Sequence, residues 1–216
     1  MSLHAPSDPV SRRATARPAA SARTGARNKG GAAPGRGDLV ADFLAFCALD
    51  PAVAMVRPKP RATFLVAGRE IDHAADFEVV RDGEAHLVDV VPDADLARHP
   101  LRGALLDGHA AAADGRLFLI ETAASLRAEP RFTTVRLITE CRRTHVSAGD
   151  RVRILHHLDE CGTGSLVECA GAVQNARDGV AAVLALAVEG LVAVDLDRPI
   201  LPETKVRRRK LAFADD

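Results

Sequence analysis

Ala75-Asp76-Phe77-Glu78-Val79-Val80-Arg81-Asp82-Gly83-Glu84-Ala85-His86-Leu87-Val88-Asp89-Val90-Val91 is the stretch that decides how this chain folds. Asp82-Gly83 between two β-branched runs is a strong hairpin signal, because a two-residue turn needs positive φ at its centre. Strands are expected at 70–80 and 84–91, with a third at 61–67 turned by Gly68. Asp76 and Asp89 then fall near the ends of adjacent strands. Residues i and i+2 of a strand share one face, so Asp89 and Val91 point the same way.

Upstream, Leu39, Phe43, Phe46 and Cys47 recur at helical spacing over Asp38 to Leu49, and Asp50-Pro51 ends that helix. Downstream, helical composition returns from Leu96 to Ala113, where Pro100 marks a break or a true start. Leu117 to Ile120 reads as a buried strand and Thr133 to Arg143 as another helix. The order is αβββαβα, an α/β core over 38–145.

Beyond His145 the pattern changes to short helices over 146–206. Ser147 with Asp150 marks one start, Ser165 with Glu168 fits a capping box, and Asn175 is the expected cap of a third helix ending near Gly190. An extended run, Leu191 to Leu196, follows. Three helices and a strand outline a winged helix. From Val180 to Val188 the third helix carries only Ala, Val and Leu, with nothing to reach base edges, so it is expected to be buried or packed on a partner.

Composition narrows the function classes. Aromatics are 3% with no Trp or Tyr, which argues against base-stacking platforms. The apolar run Val180 to Val188 is far shorter than the roughly 20 residues a membrane helix needs, so no membrane partner is expected. Cys47, Cys141, Cys161 and Cys169 lack a CxxC spacing and are expected to stay reduced, in a cytoplasmic setting. The 29 basic and 29 acidic residues balance, but unevenly along the chain. Seven basic residues lie in 1–37 and five in Lys205 to Lys210, leaving 17 basic against 26 acidic in 38–204. The body is acidic, which opposes a broad grip on duplex DNA. Residues 1–37, rich in Ala, Arg, Ser, Gly and Pro, are expected to be a disordered basic tail, and 207–216 a second, basic/acidic one. Lys205, Arg207, Arg208, Arg209 and Lys210 are the candidate phosphate contacts.

Carboxylates ending adjacent strands have a recognised chemistry. Phosphodiester hydrolysis needs a divalent cation to activate water and neutralise charge on phosphate, and Mg²⁺ takes a few carboxylates plus waters. Asp76 and Asp89 are therefore the candidate catalytic and metal-binding pair, with Mg²⁺ or Mn²⁺ as the expected ion if the site is active and none otherwise. A lysine at 91 would stabilise the attacking hydroxide; the residue there is Val91. His156, His157, Cys161 and Cys169 fit no common zinc spacing, and His73 and His86 receive no role.

The order of elements, with Leu49-Asp50-Pro51-Ala52-Val53, Lys59-Pro60, Ala75-Asp76-Phe77 and Leu87-Val88-Asp89-Val90, resembles the TnsA-type transposon endonucleases. Gly190-Leu191-Val192-Ala193-Val194-Asp195-Leu196, Pro199-Ile200 and Thr204-Lys205-Val206 extend the likeness across 38–206. The resemblance implies a restriction-endonuclease-like core (αβββαβ), a winged-helix-like C-terminal domain, DNA as substrate and a separate transposase as partner. By the same resemblance, Val91 stands where the family has lysine and Val40 where its first helix has glutamate. Asp42 or Asp38 is the nearest substitute for that glutamate. Lys59 is the one lysine of the body, and Arg98 and Arg102 are alternative cations, although arginine holds its proton too tightly for acid–base work. Three readings follow: a DNA-processing protein with a degraded nuclease site and an assembly role, an endonuclease using displaced groups, or a DNA-binding adaptor.

Overall fold

The computed structural model describes residues 34–66, 68–102 and 111–209. Helix α1 (Arg36–Leu49) begins two residues earlier than its apolar spacing indicates. The Asp38 carboxylate accepts the Gly35 N–H at 3.2 Å, and an acid in the first turn suits the helix dipole. Leu39, Phe43, Phe46 and Cys47 all face inward, as expected.

Five strands follow: β1 (Val53–Pro58), β2 (Arg61–Val66), β3 (Arg69–Ala74), β4 (Phe77–Arg81) and β5 (Glu84–Val90). With β6 (Leu117–Glu121) they give a four-stranded mixed sheet, order β1-β4-β5-β6, and a separate β2–β3 hairpin. β1 was not expected. It is an edge strand, where the missing N–H of Pro58 costs no ladder bond.

The expected strand at 70–80 is two strands. β3 pairs with β2, whereas β4 pairs with β1 and β5, and the chain changes partner at Ala75-Asp76. The Asp82-Gly83 turn forms as expected, with φ of 52° and 85°, both in the left-handed region. The expected helix from Leu96 to Ala113 is only partly within the described residues, since 103–110 lie outside them. Its described N-terminal part is a 3₁₀ turn at Leu96–Arg98, and Arg102 is again helical, beyond the break or start expected at Pro100. Ala111 and Ala112 bridge to Leu117 and Phe64, so that end is extended rather than helical. Ala113 N–H donates to Thr63 at 2.8 Å, a sheet-type bond that overrides the alanines' helix preference.

Next come α2 (Ala123–Leu126) and α3 (Arg131–Glu140), the latter continued by a 3₁₀ turn through Arg143. Then follow α4 (Ala148–Cys161), β7 (Thr163–Ser165), α5 (Leu166–Gly171), α6 (Gly179–Val188), β8 (Val192–Val194) and β9 (Lys205–Arg208). The last three strands form an antiparallel sheet, order β7-β9-β8. Ser147 and Ser165 cap α4 and α5 as predicted. Asn175 does not cap α6. Its N–H turns to buried Asp150, and Asp178 takes the cap by accepting Ala181 N–H at 3.0 Å.

One apolar cluster runs from Leu39 and Phe43 on α1 through Val88 and Ile138 to Leu184 on α6 and Val206 on β9. Residues 182–187 of α6 are all buried, so this helix is core, as its composition indicates. A smaller cluster, with Phe64, Leu87, Leu101 and Phe118, lies under the β2–β3 hairpin. The acidic pair sits at its edge. Among the described residues no helix is long and apolar enough to cross a membrane.

Candidate functional site

Asp76 stands just before β4 and Asp89 one residue from the end of β5. The pairing of Phe77 with Val88 makes them neighbours. Both are buried, at 6% and 4% exposure. Each carboxylate replaces a missing rung of the ladder. Asp76 N–H donates to Asp89 Oδ1 at 2.8 Å, and Val90 N–H donates to Asp76 Oδ2 at 3.0 Å. This is the local reason for the break in the expected strand: two side chains take over from backbone at the point where the chain changes partner.

The remaining lone pairs are also engaged. Arg36 Nη2, from the first turn of α1, lies 2.6 Å from both Asp76 oxygens, and its Nε donates to Val90 O at 3.2 Å. Lys59 Nζ adds a third cationic contact at 3.2 Å. Lys59 is held in the left-handed region at φ 56°, and its own N–H donates to Asp76 O at 2.9 Å. Burial opposes ionisation of Asp76, but the Val90 N–H, Arg36 and Lys59 outweigh it and hold the carboxyl below its ordinary range.

Asp89 faces two imidazoles. His73 Nε2 lies 2.5 Å and His99 Nε2 2.8 Å from Asp89 Oδ2. Leu101 N–H donates to His99 Nδ1 at 3.2 Å, which leaves the ring proton on Nε2, facing the carboxylate. Phe64 and Phe118 hold the rings: Phe118 stacks on His99 at 5.9 Å, and both phenyl rings meet His73 edge-on. The three ligand atoms of His73, Asp89 and His99 lie within 4.8 Å of one another. They open on a cavity of about 320 Å³ shared with Arg36, Asp95 and Arg98.

For Mg²⁺ or Mn²⁺ to bind the expected Asp76–Asp89 pair, the contacts these carboxylates make here would have to give way. A hard cation needs free carboxylate oxygens, and both Asp76 oxygens already meet a guanidinium. Val91 is buried and its N–H donates to Glu121 O at 2.8 Å. Val40 packs against the core. Asp42 is paired with Arg127 at 2.9 Å, away from the acids, and Asp38 is the Gly35 cap. Arg98 lines the cavity and pairs with Asp95 at 3.8 Å, while Arg102 is exposed.

The basic cluster divides by role. Lys205 and Arg207 are exposed, with no ion pair among the described residues. Arg208 pairs with Asp159. Arg209 turns inward and donates to the carbonyls of Ala48, Asp50 and Val53 at 3.2–3.3 Å, tying down the end of α1. Lys210 lies outside the described residues.

The cysteine–histidine group does not gather into a zinc module. His156 is exposed near Glu160, and Cys161 Sγ is 3.9 Å from His157 Nδ1. Burial pushes the Cys169 thiol up to about 11, against the thiolate that zinc requires. His86 contacts Glu84 O at 3.1 Å.

His73 and His99 were missed by the sequence reading. Their spacing from Asp89 matches no short motif, and only the folding of the β2–β3 hairpin over the sheet brings them to it. The one local sign was Pro100, which bars His99 from helix. No family model matches the chain, and no curated protein matches it.

Proposed function

We propose that this chain is a TnsA-like DNA-processing protein in which the nuclease-type site no longer cleaves and the fold serves duplex binding and assembly with a transposase. The observation that carries this reading is the Arg36 guanidinium, 2.6 Å from both oxygens of Asp76. An arginine bound to that carboxylate supplies positive charge where the ancestral chemistry uses a metal, and it cannot generate hydroxide.

Other features support the lineage. With the β2–β3 hairpin treated as an insertion, the order α1, β1, β4, β5, β6 is compatible with the restriction-endonuclease-like core that the resemblance implies, with Asp76 just before β4 and Asp89 near the end of β5. From α4 onward the order helix, strand, two helices, two strands, with an antiparallel sheet, is compatible with the winged helix that the resemblance implies. Burial of α6 removes its reading helix from DNA, leaving Lys205 and Arg207 as sequence-independent phosphate contacts.

Fluorescence anisotropy with a fluorophore-labelled duplex of arbitrary sequence, titrated across salt, tests the binding part. Steep salt dependence that flattens in the Lys205→Ala/Arg207→Ala variant is expected. Absence of duplex binding at low salt contradicts it. One observation favours a second reading, an active endonuclease with a displaced lysine: Lys59 Nζ sits 3.2 Å from Asp76 Oδ1. That reading requires metal-dependent cleavage lost on Lys59→Ala.

A further inference from the structure

We propose that His73, Asp89 and His99 form a binding site for a divalent transition-metal ion of the zinc class, through the two Nε2 atoms and Asp89 Oδ2. The inference does not depend on DNA being the substrate. It differs from the expected carboxylate pair in its ligands and in its ion: Asp76 takes no part.

Three separated segments, β3, β5 and the turn after Leu96–Arg98, deliver one ligand each to a common point. The side chains are 18%, 5% and 8% exposed, so their polar atoms are withdrawn from water while one side faces the cavity. Such a site has three protein ligands and an open position for water or an anion, the arrangement of a reactive rather than a closed structural centre. Two imidazoles with one carboxylate select borderline ions such as Zn²⁺ over Mg²⁺ or Ca²⁺, which prefer oxygen. Phe64 and Phe118 fix both rings and supply the apolar shell that lowers the local dielectric.

The fit can be checked against bond lengths. Ligands about 2.0–2.2 Å from a tetrahedral ion stand roughly 3.3–3.6 Å apart. The present contacts of 2.5 and 2.8 Å must therefore widen by roughly 0.5–1.1 Å, within reach of side-chain rotation. Metal on His99 Nε2 moves the ring proton to Nδ1, which displaces the 3.2 Å contact from Leu101 N–H. Loading is thus coupled to a small adjustment of the turn at 99–102. Around the cavity Asp76, Asp89 and Asp95 stand against Arg36, Lys59 and Arg98, so the surroundings are close to neutral and the charge of an entering ion is met directly by Asp89.

The test uses the full chain, stripped with a chelator and titrated with Zn²⁺ by calorimetry, with Co²⁺ as a spectroscopic probe. One equivalent is expected to bind, excess Mg²⁺ not to displace it, and His73→Ala and His99→Ala each to weaken it at least tenfold. Cys161→Ser with Cys169→Ser is expected to leave affinity unchanged. X-ray absorption on the Zn²⁺-loaded wild-type protein needs no variant and is expected to show imidazole scattering and no sulfur. Lack of stoichiometric binding, sulfur in the shell, or wild-type affinity in either histidine variant overturns the proposal.

Discussion

Replacing Arg36 by Ala and Asp76 by Asn, singly and together, weighs the ion pair that closes the site. A hydrogen bond to a charged group contributes about 1.5–3 kcal/mol when well shielded. The Asp76 side chain is 7% exposed, but that of Arg36 is 58% exposed, so solvent screening pulls the expected coupling to about 1–1.5 kcal/mol. Lys59, 3.2 Å away, keeps Arg36→Ala from leaving a bare buried charge. For a chain of this size the single variant should lower Tm by about 2–6 °C. Urea unfolding of the four proteins at pH 7 gives the coupling directly. The pH dependence has a definite sign. The folded-state pKa of Asp76 is depressed, so its stabilisation is complete above the unfolded value of about 4 and is lost as pH falls through the lower folded value. The gap between wild type and Asp76→Asn should therefore close in acid. A coupling under about 0.3 kcal/mol, within the scatter of independent sites, would refute the reasoning.

Arg209→Ala should cost about 1–2 kcal/mol in chemical denaturation and leave duplex affinity nearly intact, because its guanidinium serves three backbone carbonyls. Lys205→Ala should do the reverse, holding stability while reducing the log–log salt slope of DNA binding by about one. Ile138→Ala, at a fully buried position of the shared cluster, should cost about 2–5 kcal/mol. The coincidence of far-ultraviolet and fluorescence-label transitions in that variant checks whether α1 and β9 unfold with α3.

Much of the architecture was legible because its signals are local. The Asp82-Gly83 turn, the apolar face of α1 and the Ser147 and Ser165 caps each depend on residues within one or two turns. The misreadings share a different cause. Val53–Pro58 is a strand because β4 offers an edge, the run 70–80 breaks because the Asp89 carboxylate accepts Asp76 N–H while that of Asp76 accepts Val90 N–H, and Asn175 turns to Asp150 and leaves the α6 cap to Asp178. Each outcome is decided by a partner distant in sequence. The site follows the same rule. Asp76 and Asp89 could be paired from the hairpin, but Arg36 lies 40 residues from Asp76, and His73 and His99 lie 16 and 10 from Asp89. No periodicity carries those contacts, so the sequence marked the acids without the cations and imidazoles that now define their chemistry.

Conversion of supercoiled plasmid in Mg²⁺ or Mn²⁺, comparing wild type with Asp89→Ala, tests the central claim most directly. With Asp76 bound to Arg36 and no lysine at 91, the two proteins should leave the plasmid equally intact while wild type still shifts duplex DNA in a gel. Metal-dependent nicking by wild type that Asp89→Ala abolishes would contradict it.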